Sequence, residues 1–181
     1  MEIFDHAGRW RLEAAESLGL ADDELIPVLS PGAAFPAVLE SMARAFPDRP
    51  EVVVDVGAGA GGASEWLRRA TGATVIAVEP EAGARDTARR HFPALEVVEG
   101  DASHTGLAAG VADVVTLCGV WSLIEDAERT LDELSRICRR GGSVAVTDLF
   151  ARDGQITSPP NVFRTMEETV GLFTDRGWRV I

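Results

Sequence analysis

The most regular pattern in the chain is an alternation of apolar runs and amphipathic stretches between residues 51 and 150. The apolar runs are short, continuous and rich in β-branched residues, which is typical of strands buried on both faces of a parallel sheet. They lie at 51–56, 74–80, 95–101, 112–120 and 141–150. The helical stretches between them lie at 63–71, 82–92 and 126–140. The pattern predicts an α/β fold, a Rossmann-like doubly wound parallel sheet flanked by helices.

The segments on either side of this region are predicted to be mainly helical. Residues 5–18 have helical spacing, and SPGAAFPAVLESMARAF begins with a turn and Pro signal and then predicts a second helix through Phe46. In 126–140, Leu131, Leu134, Ile137 and Cys138 fall on one helix face. After residue 150 we expect a loop at 151–161, a helix at 165–177, and in the final WRVI the start of a strand.

A glycine-rich stretch, VVDVGAGAGG at 53–62, follows the first predicted strand. Gly57, Gly59 and Gly62 satisfy G-x-G-x-x-G, and Asp55 with Gly57, Gly59 and Gly61 satisfies D-x-G-x-G-x-G. Glycines between a buried strand and a helix allow a tight turn and a close approach of ligand to backbone N–H groups. The glycines alone leave two ligands open, a dinucleotide and S-adenosylmethionine.

Acidic residues end three successive predicted strands, and they favour one of these ligands. Asp55 interrupts a buried apolar run, where an unpaired carboxylate is costly, so we expect a cationic partner. Glu79 can accept both hydroxyls of a ribose, which the two ligands share. Asp101 can accept from the exocyclic amine of adenine while the Ala102 amide donates to a ring nitrogen. Together, Asp55 and Asp101 favour S-adenosylmethionine.

Composition excludes several functions. The formal net charge is −12, which argues against nucleic acid as a partner. Neither Lys nor Tyr occurs, which excludes dehydrogenases that use a Tyr–Lys pair and any Schiff-base lysine. Two cysteines are too few for a disulfide framework, and we find no signal peptide or apolar run of membrane-spanning length. We therefore expect a cytoplasmic protein with no membrane partner.

These motifs resemble the class I S-adenosylmethionine-dependent methyltransferases. The resemblance runs from about residue 30 to residue 178 through VVDVGAGAGG, VIAVEP, VVEGDAS and ADVVTLCGVWSLIED. More narrowly, SLIEDAERTLDELSRICRRGGSVAVTDLFAR resembles a subgroup related to the quinone and arsenite methyltransferases. The resemblance implies S-adenosylmethionine as cofactor, S-adenosylhomocysteine as product and a small-molecule acceptor. A homodimer is left open.

The resemblance also assigns residues to the methionine end of the cofactor. Asp55 would lie near the methionine amine, and the turn after the first strand would pass beneath the methionyl and ribose portions. Cys118 and Gly119, at the end of the fourth strand, would contact the methionine end and face the acceptor. The turn residues are Gly57, Ala58 and Gly59.

At the adenosine end, Glu79 would bind the ribose hydroxyls and Pro80 would flank the adenine. Asp101 and Ala102 would bind its polar edge. On the acceptor side, Trp121 follows the fourth strand, where it would either stack on the substrate or serve as a hydrophobic lid or core anchor. Trp10, from the N-terminal segment, would either line the pocket or bury the first helix.

Neither a catalytic residue nor a metal site is predicted. Direct methyl transfer needs a general base only if the acceptor must lose a proton. The three histidines, His6, His91 and His104, are each more readily explained by structural or exposed positions.

We expect one domain over 1–181, divided into a helical lid (1–48), a cofactor-binding core (50–150) and a terminal part (151–181). The fold of the resembling family closes with a strand hairpin, and we expect this hairpin to be incomplete here, because the sequence stops near the start of its first strand. Two alternatives to a methyltransferase stay open. One is a non-catalytic domain that binds S-adenosylmethionine or S-adenosylhomocysteine, and the other is an NAD-binding oxidoreductase.

Overall fold

The computed structural model describes residues 3–30, 32–47 and 49–181, and the side chains of residues 3–9 and 22 are outside the description. Its centre is a five-stranded sheet in the order β3-β2-β1-β4-β5, in which every pairing is parallel. The strands are β1 (Val52–Val56), β2 (Thr74–Glu79), β3 (Glu96–Glu99), β4 (Ala112–Cys118) and β5 (Cys138–Thr147). This sheet confirms the predicted fold class.

Helices cover both faces of the sheet. The first three, which precede the sheet in the chain, are α1 (Ile3–Leu18), α2 (Asp22–Val28) and α3 (Pro36–Ala43). The connecting and terminal helices are α4 (Gly62–Thr71), α5 (Ala82–His91), α6 (Ala127–Ile137) and α7 (Met166–Thr174). A separate antiparallel hairpin consists of β6 (Ile156–Ser158) and β7 (Asn161–Phe163).

The core forms two layers because side chains alternate across each strand. Val53 packs in the layer that contains residues of α2, α3 and α4, whereas Val54 and Val56 pack in the layer that contains α6. By this alternation Asp55 shares the face of Val53 and points toward the N-terminal helices. The strand therefore carries its carboxylate to the side of the sheet where the N-terminal segment lies.

Four local expectations are corrected. The helix predicted to follow a turn and to continue through Phe46 is α3, which ends at Ala43, and the separate α2 was not predicted. Helix α6 ends at Ile137, because Cys138 pairs with Ala112 in the sheet instead of extending the helix face. The loop expected at 151–161 contains most of the hairpin. Residues 178–181, expected to start a strand, lie outside any strand.

Strand β5 lies at one end of the described sheet. It pairs with β4 alone, and its residues from 142 to 147 are only half-buried. The outer side of β5 is therefore open along the part of the chain that the structure describes.

Candidate functional site

A cavity of about 910 Å³ opens at the carboxyl ends of the parallel strands. This edge, where the connections from β1 diverge to either side, is the usual ligand position in open α/β sheets. The volume lies near the upper end of the range of roughly 300–1,000 Å³ found for small-molecule sites. Helix α1 and the end of α2 cover it through residues such as Arg11, Leu12 and Val28.

The glycine turn after β1 forms the floor of this cavity. The amides of Gly57 and Ala58 donate to the Val78 carbonyl at 2.8 and 3.0 Å, and the Gly59 amide donates to Glu79 Oε2 at 2.8 Å. These three donors, which a pyrophosphate would need, are thus already used within the protein. Gly59 has φ +55° and open space where a Cβ would be. The turn leaves room for a ligand but offers few amides to a phosphate.

Asp55 is fully buried and lines the cavity. Its two carboxylate oxygens accept hydrogen bonds from Ser64 Oγ at 2.6 Å and Thr116 Oγ1 at 2.8 Å. Burial raises the pKa of Asp55, and the two hydroxyls only partly oppose this effect. Neutral hydroxyls orient the carboxylate without neutralising it, so a cationic ligand group would complete the site electrostatically.

Glu79 also lines the cavity, at the end of β2. Its oxygens accept hydrogen bonds from the amides of Gly59 and Glu81, the second at 2.9 Å. Burial raises the pKa of Glu79 despite these two bonds. The carboxylate is held facing the cavity, and each oxygen keeps acceptor capacity for a hydroxyl.

Asp101 and Ala102 line the same cavity, two residues beyond the end of β3. Asp101 Oδ1 accepts from the Ser103 amide at 2.7 Å, from the Ser103 hydroxyl and from the His104 amide at 2.9 Å. Burial acts to raise the pKa of Asp101, but these hydrogen bonds outweigh it and lower the pKa. The side chain is an ionised turn cap at the cavity wall, and Pro80 lies on the wall with it.

Cys118 and Gly119 reach the cavity at the end of β4. Burial and the negative charge of Asp55 raise the pKa of the Cys118 thiol, so the sulfur is a neutral thiol at neutral pH. Gly119 has φ +75°, and a Cβ there would lie 3.7 Å from the Ala33 side chain. This end of β4 is thus close to the N-terminal segment that covers the cavity.

The described cavity wall is strongly acidic. Its only cationic side chain is Arg11, and seven of its residues are carboxylic acids. Three of these are the acids predicted from sequence, and the others are Glu81, Glu125, Asp126 and Asp148. A wall of this charge favours cationic ligands over anionic ones.

The two tryptophans expected on the acceptor side do not line the described cavity. Trp121 is 1% exposed and packs against Phe173 with ring centroids 5.6 Å apart. It therefore belongs to the core, which corrects the expectation of stacking on a substrate. Trp10 is 68% exposed, whereas its neighbours Arg11 and Leu12 line the cavity.

Arg164, which the sequence analysis did not identify, fixes the connection after β4. It is buried, lies 5.3 Å from the Trp121 ring centroid, and donates to the carbonyls of Trp121, Ile124 and Glu125. Burial lowers the pKa of Arg164. The residues that Arg164 clamps include cavity-lining positions of this connection, so it determines the shape of that wall. The arginine lies about 40 residues from its partners, and no local pattern could have revealed it.

The sequence analysis also missed Asp148, although this residue, like the acids that were predicted, lies at the carboxyl end of a strand. It follows β5 directly and accepts a hydrogen bond from the Ser122 amide at 2.9 Å. It lines the cavity near the end of β4, and its charge contributes to the raised pKa of Cys118.

Neither His91 nor His104 lines the described cavity, and the side chain of His6 is outside the described residues. Within the described residues, no group of three or more His, Cys, Asp or Glu side chains could hold a metal ion. No helix among them is long and apolar enough to span a bilayer.

The parallel sheet, the glycine turn and the acids at the strand ends define a class I S-adenosylmethionine-dependent methyltransferase. Residues 54–146, just over half of the chain, match the family model described as a methyltransferase domain, and the chain belongs to this family. The cofactor of the class is S-adenosylmethionine, which decides between the two ligands that the glycines left open. The narrower resemblance to quinone and arsenite enzymes stays a prediction.

One curated relative is a phosphatidylethanolamine N-methyltransferase of Cereibacter sphaeroides. It is 30% identical over 84 residues, which are 46% of this chain and 41% of the relative. The match thus spans only about two fifths of the relative's length.

Solved structures share the fold at low sequence identity. A methyltransferase of Aquifex aeolicus is 18% identical with a TM-score of 0.69, and 90% of each chain is covered. In the complex of the Haloferax volcanii Trm112 activator with a methyltransferase, the matching chain is 19% identical with a TM-score of 0.72, covering 99% of this chain and 77% of that one. The geranyl diphosphate C-methyltransferase of Streptomyces coelicolor, in complex with S-adenosylhomocysteine, is 19% identical with a TM-score of 0.64. The match covers 77% of this chain and 56% of that one.

Proposed function

We propose that the protein transfers the methyl group of S-adenosylmethionine to a small-molecule acceptor bound in the described cavity. The observation that carries this proposal is the placement of Asp55, Glu79 and Asp101 on one wall of the cavity. When bound, S-adenosylmethionine supplies a methyl group activated by a sulfonium, which a nucleophile can displace. The protein's task is to hold cofactor and acceptor in line and to exclude water.

Each acid on this wall has a distinct role in the proposal. Asp55 binds the amino group of the methionine portion, since the partners of its buried carboxylate among the described side chains are two neutral hydroxyls. Glu79 accepts the ribose hydroxyls while Gly59 and Glu81 keep it oriented. Asp101 and the Ala102 amide bind the adenine edge, and Pro80 flanks the ring.

The remaining acids favour an acceptor with an amino group. Asp148 lies beside the end of β4, where Cys118 and Gly119 would contact the methionine end. The nitrogen reacts as the free amine, so an ammonium acceptor first gives a proton to solvent, and its lone pair then bonds to the methyl carbon as the carbon–sulfur bond breaks. The Asp148 carboxylate can accept N–H groups of the acceptor and stabilise the positive charge that develops on the methylated nitrogen. The Cereibacter relative is an N-methyltransferase, which supports the same choice of acceptor atom.

The experiment that tests the cofactor site is calorimetric titration with S-adenosylhomocysteine, with NAD as the comparison ligand. Glu79→Gln is expected to weaken binding by about 1.5–3 kcal/mol, because hydrogen bonds to a charged acceptor are lost. Glu96→Gln, an exposed acid at the start of β3, is the matched control and is expected to bind normally. Equal affinity of the wild type and Glu79→Gln would refute the ribose assignment.

A second function, binding of the cofactor without methyl transfer, is separated from the first by turnover. Labelled S-adenosylmethionine is incubated with a panel of amines, and label in the organic product is counted. Label that stays in the cofactor for every amine, in a protein that binds S-adenosylhomocysteine, would favour the non-catalytic domain.

A further inference from the structure

The mouth of the cavity carries apolar side chains to which the proposed function assigns no role. Leu149 lines the cavity although it is 71% exposed, so it must lie where the cavity opens to solvent. Large apolar side chains that stay exposed beside a binding cavity frequently mark part of a ligand site.

The β6–β7 hairpin extends this apolar surface. Asn161 and Phe163 alternate along β7 and both line the cavity, so one face of the hairpin is turned toward it. Ile156 is directly opposite Phe163 in the hairpin register and is 53% exposed. Cross-strand partners project on the same face, so Ile156 shares the face of Phe163, next to the cavity although not part of its lining.

We call Leu149, Ile156 and Phe163 the apolar shelf. Asp148 precedes Leu149 in the chain and also lines the cavity, and the Ser122 amide holds its carboxylate in place. A half-buried carboxylate therefore lines the same cavity as the apolar side chains of Leu149 and Phe163. This arrangement complements a molecule with a cationic head and an apolar chain, whereas a fully polar acceptor would leave the shelf exposed to water.

We propose that the apolar shelf binds a hydrocarbon chain of the acceptor, so that the acceptor is an amphiphilic amine. The inference rests on the proposed methyl transfer, because it gives the amine head the position beside Asp148. The chain leaves the cavity over Leu149 and lies along Ile156 and Phe163.

Titration of the protein with n-butylamine and n-octylamine, with and without saturating S-adenosylhomocysteine, tests the shelf. Both probes are ammonium ions at neutral pH and differ only in chain length. A fully buried methylene strengthens binding about fourfold, so four half-buried methylenes predict about fifteenfold tighter binding of octylamine.

Substitutions test which residues cause the preference for the longer chain. Leu149→Ser and Ile156→Ser are expected to reduce the ratio of octylamine to butylamine affinity at least threefold each, while both variants fold normally because the residues are exposed. Leu18→Ser is the matched control, since Leu18 is 73% exposed on α1 and does not line the cavity. Asp148→Asn should weaken both amines and leave the ratio unchanged.

The outcomes separate the two proposals. An affinity ratio near one, or a ratio that Leu149→Ser and Ile156→Ser leave unchanged, overturns the shelf even if S-adenosylhomocysteine binds. A chain-length preference that depends on Leu149 in a protein that does not bind S-adenosylhomocysteine supports the shelf and rejects the methyl transfer.

Discussion

At the scale of single residues, the site is defined by carboxylates that are buried more deeply than their charge would favour. Asp55 and Glu79 both have raised pKa values because burial disfavours their ionised forms. A carboxyl group whose pKa is raised in the folded state contributes stability at low pH, and that contribution is lost as the pH rises through the raised pKa. The free protein therefore becomes less stable when these acids ionise, and a bound cation offsets this cost.

This argument predicts proton release on cofactor binding. An ammonium group next to Asp55 lowers its pKa again, so affinity for S-adenosylhomocysteine should rise with pH up to the raised pKa of the free protein and level off above it. Calorimetry in two buffers of different ionisation enthalpy counts the protons. Binding to the Asp55→Asn variant should release fewer protons than binding to the wild type, and the protons still released come from Glu79. Asp153 is an exposed acid in a loop, so the Asp153→Asn variant should release as many protons as the wild type. Equal release from Asp55→Asn and the wild type would contradict the role of Asp55.

At the scale of elements, two connections shape the cavity. The turn after β1 needs glycine at position 57, where φ is +75° and a Cβ would approach Val120 Cγ2 to 2.5 Å. The connection after β4 is fixed by Arg164 through three backbone carbonyls. The glycine at position 57 can be predicted from the sequence, because the need for it arises from the backbone of that one turn. The role of Arg164 cannot be predicted in this way, because it depends on a contact between distant segments.

Gly57→Ala should lower the free energy of unfolding by more than Gly72→Ala. Both glycines have positive φ, which costs an alanine about 1–2 kcal/mol, but only position 57 adds a steric contact. At Gly72, which has φ +72°, nothing lies within 4 Å of a built Cβ. Chemical denaturation of the two variants gives the difference, and equal losses would show that Val120 moves aside freely.

Arg164→Ala should destabilise the protein by about 1.5–3 kcal/mol, because buried carbonyls lose a charged donor. Arg152→Ala, at an exposed position of the neighbouring loop, is expected to stay within about 0.5 kcal/mol of the wild type. Urea denaturation measures both. A loss for Arg164→Ala no larger than that for Arg152→Ala would mean that the clamp contributes no stability.

At the scale of the whole molecule, the strand–helix alternation was sufficient to predict the sheet, since each buried parallel strand is a continuous apolar run. The meeting of Asp55, Glu79 and Asp101 at one cavity was also predictable, because the ends of parallel strands meet at one edge. The sequence could not reveal that Trp121 is buried, because only the packing of Phe173 and Arg164 against it decides this. The β6–β7 hairpin was missed because three-residue strands carry too little periodicity.

The position of β5 at one end of the described sheet has a consequence for amide hydrogen exchange. Val53, Val54 and Asp55 in β1 have ladder partners on both sides, in β2 and β4, whereas β5 pairs with β4 alone. In a parallel strand, alternate amides point to opposite neighbours, so about half of the β5 amides face outward. Their deuterium uptake should be complete while β1 is still protected, and slow uptake throughout β5 would mean that this edge is covered in solution.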